Sequence, residues 1–221
     1  MNRADLLSPR QIQRLGIKHR TGSFNPVDEA LIVSSGFAYW TLSDLSFMKV
    51  ADLISESGIL KIDGETPSEY NAHGKRKYFF IGQKTHFQKV LEKVIEWRLE
   101  MNFGLLDRGL YRGLNPESRF FLRSDGSDFE VTYRDKDKKP TLTQPTKMQR
   151  RFRQYFLGEG VNYQTLNNSF IINIWKEASP FGQTDARKLL IQMTGLTAKT
   201  LKAKTIREQF SIQHTLEDLY R

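Results

Sequence analysis

The chain has 221 residues, a formal net charge of +9 and no cysteine. Its length suits one large domain or two small ones, and its 38% hydrophobic and 27% charged residues are ordinary for a folded soluble protein. The lack of cysteine excludes disulfides and thiolate metal sites, and the four histidines are scattered, so we expect no metal and no cofactor. Nowhere do about 18 apolar residues run together, and no signal-peptide stretch is seen, which predicts a cytoplasmic protein without membrane contact.

The positive charge is concentrated in two segments. Residues 134–153 contain eight Lys or Arg against two Asp, and residues 187–207 contain six Lys or Arg against no acidic residue. Clustered cations bind polyanions well because they displace the counterions condensed on phosphates. A solvated lysine-rich surface is the simpler alternative for each cluster.

The first third of the chain is predicted to be helical. Ser8 followed by Pro9, and Asn25 followed by Pro26, are typical helix starts, and Gly36 suits the end of the second helix. A third helix is predicted over roughly Thr41 to Met48.

In the middle of the chain, short β-branched and aromatic runs indicate a small sheet. GILKI (residues 58–62) and KYFFIG (residues 77–82) are predicted to form a long-looped hairpin. RFFL with DFEVTYR is predicted to form either a second hairpin or a strand and a turn. Between the two hairpins, Thr85 caps a strongly amphipathic helix.

Further helices are predicted after a charged, proline-containing linker over residues 135–146. They are KMQRRFRQYFL, a helix from about Thr165 to Ala178, a shorter one from Thr184 to Met193 that ends before Gly195, and a helical C-terminus. We therefore expect one domain over residues 1–221. It comprises helices plus a small sheet (1–134), the exposed linker (135–146) and a helical part (147–221).

The order of these elements resembles the catalytic domain of the tyrosine recombinases, the phage-integrase family, over nearly the whole chain. LLSPRQIQRL resembles the opening helix, and LIVSSGF with LSDLSFMKVADL resembles "TGxRxxELxxLxxxDI". ILKI with HGKRKYFFIG resembles the strands and lysine-bearing hairpin that follow. QTLNNSF resembles "HxLRHTF", and LLIQMTGLTAKTL resembles the run that ends at the nucleophile. The resemblance implies a mostly helical α+β fold with a small antiparallel sheet.

That family cuts DNA with a tyrosine hydroxyl, assisted by two arginines, a lysine, and histidines or histidine and tryptophan. Arginines hold the extra negative charge of the phosphate transition state, while acid–base groups move protons. This chain carries other residues at the family's catalytic positions, which fall on Ala38 or Thr41, Gln164, Asn167, Leu196 and Thr205. A lysine is matched by Lys75 or Lys77, and Tyr220 is the candidate for a replacement nucleophile.

These substitutions predict a protein that binds DNA without cutting it and is therefore not an enzyme. Phosphate-contacting cations are expected on the hairpin, the helix after the linker and the last helical segment: Lys75, Arg76, Lys77, Arg150, Arg151, Arg153, Lys199, Lys202 and Lys204. The resemblance implies an accessory or regulatory role in a mobile genetic element. Double-stranded DNA is the expected partner, and an active recombinase or another mobile-element protein is a candidate second partner.

Three alternatives stay open at this stage. Gln164, Asn167 and Asn168 also suit helix capping and hydrogen bonding inside the helix, and Thr165 with Asn168 at the fourth position resembles a cap. The stretch TDARKLLIQMTGLTAKTLKAK also fits the helix-turn-helix of a transcriptional regulator, with Lys199 and Lys202 facing a groove. The third alternative is a divergent but active recombinase with Tyr220 as its nucleophile.

Overall fold

The computed structural model describes residues 6–20, 25–67, 76–106, 109–129, 146–157 and 161–202. It is mostly helical, with one two-stranded antiparallel sheet, which confirms the predicted fold class. The helices are α1 (Pro9–Arg20), α2 (Val27–Phe37), α3 (Leu42–Phe47), α4 (Val50–Leu53), α5 (His86–Glu100), α6 (Thr146–Tyr155), α7 (Tyr163–Ala178) and α8 (Gln183–Thr194), and the strands are β1 (Asp63–Thr66) and β2 (Lys77–Phe80). The division into one domain with an exposed linker stays a prediction, since residues 130–145 lie outside the described ranges.

Local signals in the sequence set most helix ends. α1 begins at Pro9, and α2 begins after Pro26, where the Asn25 side chain accepts a hydrogen bond from the backbone N–H of Val27. The Thr85 hydroxyl caps α5 by accepting from the N–H of Gln88, and Gly195 ends α8 in the left-handed conformation, with φ of 67°. The predicted starts of α1, α2 and α5 and the predicted end of α8 are confirmed. Gly36, which was expected to end α2, lies inside that helix, which ends at Phe37.

The first strand is displaced from its predicted position. GILKI makes only isolated contacts, in which Ile54 pairs with Leu60 and the Ile62 carbonyl accepts from Ile81 N–H. The regular ladder instead joins Asp63–Thr66 to Lys77–Phe80. The strand predicted over residues 58–62 is wrong. The polar residues that follow it form the strand, because hydrogen bonding to β2 outweighs local β propensity.

Two other boundaries differ from the sequence prediction. In the described part of the second predicted hairpin, residues 119–129, only isolated bridges form, at Arg119 and between Leu122 and Asp128. α7 begins at Tyr163, and its cap is Asn162, whose side chain accepts from the N–H of Thr165. The predicted cap of Thr165 with Asn168 is therefore wrong.

The core is built around α2, whose residues Val27–Gly36 are all buried. α1 packs against it so closely that a Cβ at Gly36 would lie 2.8 Å from Ile12 Cγ2. Trp40, just after α2, makes edge-on contacts with the rings of Phe79, Phe87 and Phe121. A second cluster joins α7 to α8. The long-range packing of α2 thus fixes the position of the segment that follows it, from Ala38 to Phe47.

Candidate nucleic-acid interface

A basic cleft of about 240 Å³ opens between the start of α2, the loop at residues 123–129 and α6. Four cationic side chains line this cleft, together with the single carboxylate of Asp28. The four cations that define the basic cleft are Arg123, Lys147, Arg150 and Arg151. The excess of cations gives the cleft a positive charge that suits an anionic ligand.

One of the four cations, Arg151, forms an ion pair with Asp28 at the start of α2. The Arg151 guanidinium donates to Asp28 through Nη2 at 2.6 Å and through Nε at 3.2 Å, and the Tyr155 hydroxyl donates to the same carboxylate. Burial acts against the charged guanidinium, but hydrogen bonds and charge attraction from Asp28 outweigh it and raise the pKa of Arg151. Arg151 is therefore a fixed, charged wall of the cleft.

The other three cations of the cleft differ in exposure and in their contacts. Arg150 is exposed and forms no ion pair with any described residue. Arg123 donates to Ser127 at 3.0 Å and lies 3.4 Å from an Asp125 oxygen, with 40% of its side chain exposed. Lys147 stands one turn before Arg150 and Arg151 on α6. A phosphate entering the cleft meets several donors from different elements.

Thr41, one of the two positions that the resemblance matches to the family's first arginine, belongs to a closed cluster of polar side chains. Thr41 caps α3, and its N–H and hydroxyl both donate to Asp44, at 2.6 and 2.7 Å. The ammonium of Lys77 binds the same carboxylate oxygen, and both partners are buried. The alternative position, Ala38, is also buried, at the end of α2.

Lys77 is consequently removed from the set of predicted DNA-binding residues. Its position at the start of β2 turns the side chain toward Asp44, and only 3% of the residue is exposed. A charge neutralised inside the protein cannot also neutralise a phosphate on its surface.

The second group of family positions lies on the first turns of α7. Asn167 is buried, whereas Gln164 is exposed and donates to the side chain of Asn168 at 3.1 Å. The Tyr163 hydroxyl fills the space beside them and donates to the Trp40 carbonyl at 3.2 Å. Burial raises the pKa of Tyr163 far above its usual value, against the effect of a hydrogen bond with Asn167. These side chains are neutral.

The remaining family positions are apolar or undescribed. Leu196 is half-buried and packs against the α7–α8 cluster. Thr205 and Tyr220 lie outside the described residues. At the described family positions, no side chain carries an exposed positive charge.

The other predicted DNA-binding cations are distributed over separate surfaces. Arg76 is exposed at the base of the hairpin and pairs with Glu65 at 3.3 Å. Lys199 and Lys202 are exposed on the helical turn 198–202, and Arg153 is exposed on α6 outside the lining of the cleft. Lys75 and Lys204 lie outside the described residues. Of the predicted cations that lie within the described residues, Arg150 and Arg151 are the two that meet in the cleft.

Sequence reasoning missed Arg123 and Lys147. The helical spacing of Lys147 with Arg150 and Arg151 was a usable signal, since residues three and four apart share a face. No signal was available for Arg123, because its place in the cleft depends on packing between segments far apart in the chain. No group of three or more metal-ligating side chains is found among the described residues.

No protein-family model matches the chain, and no curated protein matches it significantly. Among solved structures, the crystal structure of XerA recombinase superimposes with a TM-score of 0.59 at 15% sequence identity. The match covers 95% of this chain and 65% of the recombinase. The chain has the fold of a tyrosine recombinase. This agrees with the order of motifs in the sequence.

Several of the positions that the sequence resemblance matches lie on or next to two helices that pack against each other. Thr41 follows the central helix α2, and Gln164 and Asn167 stand on α7, which packs against α2. The recombinase-like chain spans about two thirds of the length of XerA recombinase. Within the described ranges, no helix is both long and apolar enough to span a membrane.

Proposed function

We propose that this chain binds double-stranded DNA without cutting it, as a tyrosine-recombinase-like accessory or regulatory protein of a mobile genetic element. The observation that carries the proposal is the basic cleft, in which Arg123, Lys147, Arg150 and Arg151 meet. Cations from one helix and one loop would contact phosphates along a duplex without reading its sequence.

The proposed lack of cutting rests on the chemistry at the family positions. Transfer of a phosphodiester needs cationic groups at the reacting phosphate, where an arginine contributes about 10³-fold or more in rate. In this chain, the resemblance puts those arginines at Ala38 or Thr41 and at Asn167. Hydroxyl and amide groups can hydrogen-bond a phosphate, but they add no charge to stabilise its transition state.

A role beside another protein follows from the size of the basic surface. A single cleft holds one side of a duplex, and phosphate contacts give affinity more than sequence specificity. We therefore infer that targeting comes from a partner, for which an active recombinase is the candidate that the fold suggests.

The proposal is tested by salt-titrated binding to a duplex and to a single strand of the same sequence. Wild-type protein is expected to prefer the duplex and to lose affinity steeply with salt. Lys147→Ala/Arg150→Ala removes two cations of the cleft and is expected to reduce the slope of log affinity against log salt by about 2. The matched control is Lys89→Ala/Lys93→Ala on α5, which makes the same change in net charge outside the cleft.

Two results would contradict the proposal. Equal losses in the cleft variant and the α5 control would assign binding to net charge alone. A covalent protein–DNA adduct on a nicked suicide substrate, abolished by Tyr220→Phe, would show that the chain is a divergent active recombinase.

The helix-turn-helix regulator is a second candidate, favoured by one observation. α8 ends at the left-handed Gly195, and a new helical turn with exposed Lys199 and Lys202 begins at residue 198. A footprint on the promoter of its own gene, lost in Lys199→Ala/Lys202→Ala and retained in Lys147→Ala/Arg150→Ala, would favour this candidate over the cleft.

A further inference from the structure

The segment after α5 exposes an unusual number of large apolar side chains. We define the leucine loop as residues 101–106 and 109–114, and three of its leucines together with its methionine are between 42% and 52% exposed. These residues are Met101, Leu105, Leu106 and Leu110. Apolar patches of this kind on a folded protein mark interaction sites more often than single exposed residues do.

The leucine loop is held in a defined conformation. Leu106 N–H donates to the Gly113 carbonyl at 2.7 Å, and Leu105 forms an antiparallel bridge with Leu114. At the base of the loop, the buried guanidinium of Arg98 donates to the Phe103 carbonyl and to the Ser118 hydroxyl. The leucines are therefore presented by a braced segment.

Two consecutive residues of the loop adopt a conformation that side chains disfavour. Tyr111 and Arg112 have φ of 52° and 57°, in the left-handed region. Contacts of Arg112 maintain this geometry, because its guanidinium donates twice to Glu92, at 2.6 and 3.1 Å, and its Nε donates to the Gly58 carbonyl. Such strain persists where the surroundings impose it, and it occurs mainly at functional sites.

Three exposed acidic side chains lie near the leucine loop, on a chain whose net charge is positive. The carbonyl of Glu56 accepts from the N–H of Tyr111 at 3.1 Å, which places exposed Glu56 beside Leu110. Glu96 and Glu100 are exposed one and two turns after Glu92 on α5, at the helix end that leads into the loop. Acidic groups repel phosphate, so this surface does not suit DNA.

We propose that the leucine loop is a docking surface for an amphipathic helix of another protein, with an apolar face flanked by Lys or Arg. The leucines would bury the apolar face, and Glu56, Glu96 and Glu100 would meet the flanking cations. No residue of the leucine loop belongs to the lining of the basic cleft, so the two surfaces use different side chains.

The test uses a defined peptide and contains no DNA, so its outcome is independent of the DNA-binding proposal. A helical peptide of about 15 residues with leucines on one face and lysines on both flanks is titrated by fluorescence anisotropy. Leu106→Ser/Leu110→Ser is expected to weaken its binding about tenfold or more. Glu96→Gln/Glu100→Gln is expected to weaken it about two- to tenfold at low salt. Phe181→Ser is the control, since Phe181 is 91% exposed in the turn after α7 and should not matter.

Circular dichroism and thermal unfolding of each variant establish that the fold is retained. The proposal is overturned if a peptide with glutamates in place of the lysines binds equally well, or if the leucine variant binds the lysine peptide as the wild type does. Self-association by sedimentation velocity that Leu106→Ser/Leu110→Ser abolishes would also overturn it, by assigning the loop to a second copy of this chain.

Discussion

The basic cleft and the Thr41 cluster use the same pair of charges for different purposes. Each contains an aspartate on or after α2 bound to a cation from a later segment, Asp28 with Arg151 and Asp44 with Lys77. Arg151 keeps 38% of its side chain exposed beside three further cations, whereas Lys77 and Asp44 are 4% and 0% exposed. The difference shows that exposure, and not the presence of a cation in a motif, decides which charges can serve a ligand.

The largest expected effect comes from breaking the buried pair. Lys77→Met leaves the Asp44 carboxylate buried without its cation and is expected to lower the free energy of unfolding by about 3–5 kcal/mol. Urea denaturation measures the change. Asp44→Asn/Lys77→Met removes both charges and should be less destabilising than Lys77→Met alone, and a strictly additive pair would contradict the coupling.

A pH dependence is expected from Tyr39, close to the same cluster. Burial, assisted by the charge of Asp44, raises its pKa to about 12. Because the folded pKa lies above the unfolded value of about 10, this stabilisation is complete below pH 10 and is lost as the pH rises through 12. The difference between the two pKa values corresponds to about 3 kcal/mol in the free energy of unfolding.

The measurement is the unfolding free energy of wild type and Tyr39→Phe between pH 10 and 12. The wild-type protein should lose stability more steeply with pH than the variant, in which the buried tyrosines Tyr155 and Tyr163 remain. Identical slopes would show that Tyr39 does not titrate with a raised pKa.

Replacement of Arg151 should separate stability from binding within the cleft. Arg151→Ala leaves Asp28 without its bidentate partner and is expected to lower the unfolding free energy by about 2 kcal/mol, with a loss of DNA affinity. Arg150→Ala should lose DNA affinity and remain within about 0.5 kcal/mol of wild type, because exposed Arg150 supports no ion pair among the described residues. Similar destabilisation by both changes would contradict this division of roles.

The smallest effect is expected at Thr41. Thr41→Ala removes the cap of α3 and one donor to Asp44, and it should lower the unfolding free energy by about 1 kcal/mol. DNA affinity should stay unchanged in a salt-matched binding assay, since Thr41 is absent from the lining of the cleft. A clear loss of DNA affinity in Thr41→Ala would show that Thr41 contributes to DNA binding.

Sequence predicted the elements whose signals are local. Pro9 suits the first position of α1 because its φ is already helical, and the caps at Thr85 and Gly195 satisfy backbone groups within a few residues. The strand predicted over residues 58–62 failed because a two-stranded ladder depends on its partner, which begins at Lys77. Asn162 was overlooked as a cap because Thr165, three residues later, is equally suited to capping and proved to be its partner.

The sequence by itself determined the concentration of positive charge, the lack of cysteine, and the uncharged residues at Thr41, Gln164 and Asn167. Tertiary structure alone decided that Lys77 is buried, that Arg123 joins the cleft and that the leucine loop is exposed. The physical reason is separation along the chain. Asp44 and Lys77 are 33 residues apart, and Asp28 and Arg151 are 123 residues apart, so only the packing of distant segments determines which charge meets which.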